Sequence, residues 1–213
     1  MTITINNRNY IAYLERFSKR LAEEKDYITE LDSITGDGDH WVNMNMGFQK
    51  LIASKDELET LALGKMFKKI GMLVMSTVGG SSGVLYGSAY IKGAQTIGDK
   101  EEISVVELLE VLQAKLTGIM ERGNAKPGDK TMIDALHGGV ESMKQAIESG
   151  KNDKEILQAL KEGAEKGMEE TKSMEAAKGR AYYQANKGVG HLDPGAVTMY
   201  YQLATLADTL LEA

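Results

Sequence analysis

The chain has 213 residues, 42% hydrophobic and 26% charged, with a formal net charge of −6 and no cysteine. That length fits one well-buried core over residues 1–213, and the balance is that of a folded globular protein rather than a disordered one. The charge argues against nucleic acid or an anionic membrane as partner, since both require a basic face, and the missing cysteines exclude disulfides, thiolate metal sites and a cysteine nucleophile.

The opening residues, MTITINNRNY, lack the basic stretch and apolar run of a secretory leader, so a cytoplasmic location is expected. From there the apolar residues recur at three- and four-residue spacing, which predicts an all-α protein. A first helix carries Ile11, Leu14, Phe17 and Leu21 on one face; a second begins near Asp39 and turns Val42, Met46 and Phe48 inward. The third carries Ala62, Met66, Ile70 and Leu73 up to the break VGGSSG, after which a fourth runs from Val84 and Leu85 through Ala89.

Ser104 and Glu107 have capping-box spacing and open a fifth helix, with Val105, Leu109, Leu112, Leu116 and Ile119 inward, which GNAKPGDKT stops. A sixth carries Met132, Leu136, Val140, Met143 and Ile147. Asn152 with Glu155 caps a seventh, containing Ile156, Leu160, Ala164 and Met168. Asp193 as N-cap and Pro194 as first helical residue open the eighth, which offers Val197, Tyr201, Ala204 and Leu211 to the core. Short connections make neighbouring helices antiparallel, so the starts of the second, fourth, sixth and eighth are expected at one end of the bundle. The segments preceding them are LDSITGDGDHWVN, GGSSG, PGDKTM and HLDPGA; the irregular stretch from Glu169 to Gly190 is expected as a flap beside that end.

Asp32, Asp37 and Asp39 place three carboxylates within eight residues. Bringing them together costs several kcal/mol unless a cation intervenes, and a hard divalent ion such as magnesium suits oxygen ligands shared with phosphate. GDGD by itself fits a solvated acidic turn equally well. GGSSG before a helix offers free backbone N–H groups to a phosphate, although alone it reads more simply as a connector. GNAKPGDKT departs from a P-loop by an additional Asp129 before Lys130, and it follows a helix rather than a strand. Arg180 is a candidate phosphate contact, and an isolated arginine is otherwise a surface residue. His40, His137 and His191 lack metal-ligand spacing.

Together, LDSITGDGDHWVNMNMGF, GGSSGVLYG, GDKTMIDAL and GRAYYQANKGVGHLDPGA resemble the ADP-binding L subunit of bacterial dihydroxyacetone kinase, over nearly the whole chain and in the same order. The resemblance implies an antiparallel eight-helix barrel that holds ADP and two magnesium ions at one end. Its metal carboxylates fall on Asp32, Asp37 and Asp39, and its phosphate-contacting segment on His40, Trp41, Val42 and Asn43. Ser81 and Ser82 match its glycine-serine loop, Gly123 and Met132 the residues enclosing the nucleotide, and Arg180 with Asp193, Pro194 and Gly195 its closing segment. It also implies a phosphohistidine-carrying M subunit that converts bound ADP to ATP, and a K subunit that holds dihydroxyacetone and receives the γ-phosphoryl group. Two positions depart from the family wording: Trp41 stands where glycine is usual, and the flap reads YYQANKGVG. Two rival functions are an ATP-dependent kinase component acting on another ketose, and a non-enzymatic co-regulator that senses nucleotide.

Overall fold

The computed structural model describes residues 2–213, and their secondary structure is overwhelmingly helical. Ten α-helices occur among these residues: α1 (Asn7–Glu23), α2 (Lys25–Thr35), α3 (His40–Ala53), α4 (Lys55–Glu59), α5 (Leu63–Thr77), α6 (Gly80–Ile97), α7 (Val105–Gly123), α8 (Met132–Glu148), α9 (Asp153–Glu170) and α10 (Pro194–Glu212). Eight of them are the eight expected from the apolar stripes. The additions are α2, whose polar sequence KDYITELDSIT gives a weak stripe in which Ile28, Leu31 and Thr35 are buried, and the five-residue α4. A two-stranded antiparallel ribbon, β1 (Thr4–Asn6) with β2 (Glu102–Ser104), was not apparent in the sequence, because three-residue strands are too short to show alternation.

The chain's caps explain where the helices begin. Ser104 with Glu107, Asn152 with Glu155, and Thr131 with Asp134 form capping boxes at α7, α9 and α8, and the Asp193 carboxylate accepts from the Ala196 N–H at the start of α10. Each such cap contributes about 1 kcal/mol. At the other end of α7, Asn124 takes a left-handed conformation (φ 45°) and stops the helix.

The core joins Phe17, Leu51, Ile70, Tyr90, Leu112, Leu136, Leu160 and Leu206 with their neighbours. Each buried side chain of this size contributes roughly 1.5–3 kcal/mol, so packing outweighs capping many times over. In α3 the inward face is His40, Met44, Gly47, Phe48 and Leu51. Phe48 is inward as expected, but Val42 and Met46 are 50% and 46% exposed. Those two lie four residues apart on the exposed face; α3 carries apolar residues on both faces, and its neighbours cover the one with Met44, Phe48 and Leu51. GGSSG likewise forms the first turn of α6 rather than a connector, which leaves only Val78 and Gly79 between α5 and α6. Among the described residues no helix is long and apolar enough to cross a membrane.

Candidate nucleotide and metal site

A cavity of about 600 Å³ lies where the starts of α3, α6, α8 and α10 meet the end of α7 and the segment 178–181. The four segments singled out in the sequence thus converge as their antiparallel order requires.

The acidic turn is built by the end of α2. Asp32 is buried in that helix, and its carboxylate accepts the His40 N–H at 3.0 Å, so it caps α3 from outside while Asp39, the formal N-cap, makes no such bond. Gly36 is required for this: a Cβ there would collide with the Asp32 carboxylate. The chain then turns through Gly38 (φ 77°) and delivers Asp37 and Asp39 beside Asp32. One carboxylate oxygen from each lies within 4.8 Å of the others. Arg180 meets this cluster from the far side of the cavity, with its guanidinium 2.5 Å from the Asp37 carboxylate. The partners are 67% and 38% exposed, so the pair adds little to stability by itself.

His40 lies behind the cluster. Burial lowers its pKa, against the opposing pull of Asp32 and Asp39, so the imidazole is neutral at pH 7. Its Nε2 is 2.9 Å from the Thr198 hydroxyl, whose own hydrogen goes to the Gly195 carbonyl at 3.1 Å. The contact ties α3 to α10. Asp193, on the opposite wall, has its pKa raised to about 7, first by burial, with the Ala196 N–H and the Lys130 ammonium opposing the shift.

Ser81 and Ser82 lie in the first turn of α6, whose N-cap Gly79 supplies no side chain. A Cβ at Gly79 would crowd the Asn43 amide oxygen at 2.5 Å, so α6 and α3 approach closely at the cavity floor. The remaining wall is apolar, formed by Leu85, Ile119, Met132 and Pro194.

Of the residues singled out in the sequence, Asp32, Asp37, Asp39, His40, Asn43, Ser81, Ser82, Gly123, Met132, Arg180, Asp193, Pro194 and Gly195 all line this cavity. Trp41 and Val42 do not. The Trp41 indole N–H donates to the Leu21 carbonyl at 2.7 Å and its ring lies 5.1 Å from the Lys25 ammonium, so the bulky residue fastens α3 to the end of α1, while Val42 points to solvent. Sequence reasoning passed over Arg122, Lys130 and Lys178, which bring positive charge to the lining. GNAKPGDKT drew attention as a near P-loop, and with that reading set aside Lys130 had no role. His137 and His191 both lie outside the lining; the His191 carbonyl accepts from the Lys130 ammonium.

The DAK2 domain family matches residues 34–208. The chain belongs to that family. Among its DAK2 relatives, the ADP-binding subunit of the PEP-dependent dihydroxyacetone kinase of Escherichia coli is 34% identical over 96% of this chain and 98% of the relative. The corresponding subunit of kinase 1 from Listeria innocua is 36% identical over 95% and 94%. The DAK2 chain also resembles longer proteins: bovine triokinase/FMN cyclase is 28% identical, and the match covers 35% of it. The crystal structure of the C. freundii dihydroxyacetone kinase in complex with AMP-PNP and Mg2+ superposes with a TM-score of 0.71 and 26% identity, covering 93% of this DAK2 chain and 33% of the kinase chain.

Proposed function

We propose that this chain is the nucleotide-carrying subunit of a dihydroxyacetone kinase, holding ADP or ATP with magnesium at the bundle end. The observation that carries this reading is the convergence of Asp32, Asp37 and Asp39 beside the uncapped start of α6 in one cavity. The donor set fits the group: three carboxylate oxygens suit a hard divalent ion. Of the four helix starts, α3, α8 and α10 are already capped by carboxylate or hydroxyl groups, whereas α6 presents its first-turn N–H groups without a side-chain cap. Free N–H groups at the positive end of a helix suit phosphate. The apolar wall at Leu85, Ile119, Met132 and Pro194 suits the flat face of a base.

In this reading Asp32, Asp37 and Asp39 hold two magnesium ions, which when bound would neutralise and orient phosphoryl oxygens. Asn43, Ser81 and Ser82 orient the phosphates, and Arg180 supplies positive charge at the rim for the group in transfer. Gly123, Met132, Pro194 and Gly195 enclose the nucleotide. From the first turn of α3, His40 and Asn43 belong to the phosphate side, whereas Trp41 and Val42 lie outside the cavity lining. The roles of these groups are contacts to metal, phosphate and base, which accords with dihydroxyacetone being held by a separate K subunit. A phosphohistidine-carrying M subunit would then regenerate ATP on this chain in the cytoplasm, and residues 1–213 act as one domain. The higher identity to the PEP-dependent subunits, 34% and 36%, than to triokinase/FMN cyclase, 28%, favours the phosphorelay over free ATP as donor.

Titration calorimetry of the purified chain tests the nucleotide reading. The expected result is saturable, one-to-one binding of ADP that requires magnesium; no binding with magnesium present overturns it. Reconstitution separates the donors: turnover of dihydroxyacetone with K subunit and Mg–ATP but no M subunit would assign free ATP as donor.

A further inference from the structure

The flap is organised around one buried cation. Lys130 is 1% exposed, although it sits in a loop, and it is one of three non-glycine residues with positive φ (59°) among the described residues. Such a conformation is uncommon for a residue with a side chain and persists only where surrounding contacts over-determine it. Its ammonium donates to the Thr171 carbonyl, at the end of α9, and to the His191 carbonyl at 2.6 Å. Thr171 and His191 are the two ends of the flap, and the carbonyl end of α9 carries partial negative charge that further favours a cation.

Other bonds converge on the same point. The Gly190 N–H donates to the Lys172 carbonyl at 2.8 Å, the Asp193 N–H to the Thr171 hydroxyl at 3.1 Å, and the Ala177 N–H to the Asp129 carbonyl, next to Lys130, at 3.1 Å. Gly188 packs on the lysine stem so closely that a Cβ would stand 3.0 Å from Lys130 Cε. From this base the flap reaches across the cavity mouth, where Arg180 meets Asp37 and the Gln184 amide donates to the Ile34 carbonyl at 2.5 Å.

We propose that Lys130 is a positioning residue: by joining both ends of the segment 171–191 it sets the flap over the cavity and so places Arg180 and Lys178 for the nucleotide. This rests on the function proposed above. Two of the ammonium's three donors are engaged by backbone carbonyls, so Lys130 acts through the flap although it lines the cavity. A buried charge–carbonyl bond that loses its donor leaves an unsatisfied carbonyl, and the flap has few apolar contacts to compensate.

Hydrogen exchange on the nucleotide-free protein tests this. In Lys130→Met the amides of residues 171–193 should exchange roughly ten- to a hundredfold faster than in wild type, with α1 and α5 unchanged, and Mg–ADP affinity should fall in parallel. Because the chain has no cysteine, Lys130→Cys can be alkylated at that position alone, in denaturant before refolding. The S-aminoethyl group, which restores the ammonium, should restore protection; the S-propyl group, of equal length but neutral, should not. Unchanged flap exchange in Lys130→Met, or equal rescue by S-propyl, overturns the proposal. Lost Mg–ADP affinity with an unchanged flap would make Lys130 a direct ligand and also overturn it. If the alkylated chains do not refold, the native Lys130→Met measurement decides. Failure of wild type to bind Mg–ADP would sink the functional reading, while the exchange comparison would still decide the role of Lys130.

Discussion

At the scale of single residues, the site is a set of groups held in states they would not adopt alone. Asp32 is buried and tied to the His40 N–H, Asp37 is neutralised by Arg180, and Asp39 is drawn beside both. In the proposed reading a bound magnesium–nucleotide stabilises the folded form by about 4 kcal/mol when free ligand is a thousandfold above its Kd. For a domain of this size that is a Tm increase on the order of 10 °C. Asp37→Ala should lose most of that increase while keeping its helical circular dichroism; equal Mg–ADP shifts in wild type and variant would withdraw the metal assignment. Asp193 gives a separate pH signature. Its folded pKa, about 7, lies above the ordinary 3.8, so the stability it contributes is complete below about pH 4 and is lost as pH rises through about 7. Asp193→Asn retains a capping side chain and cannot titrate. Between pH 4 and 7 the Tm of wild type should therefore fall relative to that of the variant, by the equivalent of a few kcal/mol on the order of the pKa shift. Parallel curves would show that Asp193 is ionised throughout.

At the scale of helices, the closest pairing is α8 against α9. Gly138 and Gly163 face each other's carbonyls, and Gly167 faces the carbonyl of Asp134, so a Cβ at any of the three would collide with backbone of the neighbouring helix. The pairing matters for the site because the first turn of α8 brings Thr131, Met132 and Ile133 to the cavity. Gly167→Ala should destabilise the protein by about 1–3 kcal/mol, since backbone cannot yield as a side-chain tip can, and should lower Tm by several degrees in a thermal melt. An unchanged Tm would mean that α9 shifts freely along α8. The helix register also shows what periodicity resolves. The α1 stripe and both predicted capping boxes stand as read, because each depends on spacing within one segment. Val42 and Met46 went astray because α3 has apolar residues on both faces, and only its neighbours decide which face is covered.

At the scale of the molecule, four helix starts, from His40 to Pro194 along the chain, make one cavity, and the proposed division of labour gives that cavity the nucleotide and a separate subunit the ketose. The purified chain with Mg–ATP should give no phosphorylation of dihydroxyacetone, and turnover should appear only when the K subunit is added with a phosphoryl donor. Turnover by the chain alone would contradict the separate-subunit reading. The sequence by itself determined the helical class, eight of the ten helices, the caps of α7, α9 and α10 and the convergence of the acidic turn with the GGSSG segment, because these are consequences of local spacing, turn chemistry and antiparallel order. Only the tertiary structure decided that the Asp32 carboxylate caps α3 across the Gly36–Asp39 turn, that Trp41 fastens α3 to α1, and that Lys130 closes the flap. Those are partnerships between a side chain and a distant backbone group. Any lysine, tryptophan or aspartate can form one, so no spacing in the chain announces it; burial, which removes water as the competing partner, selects which of them forms.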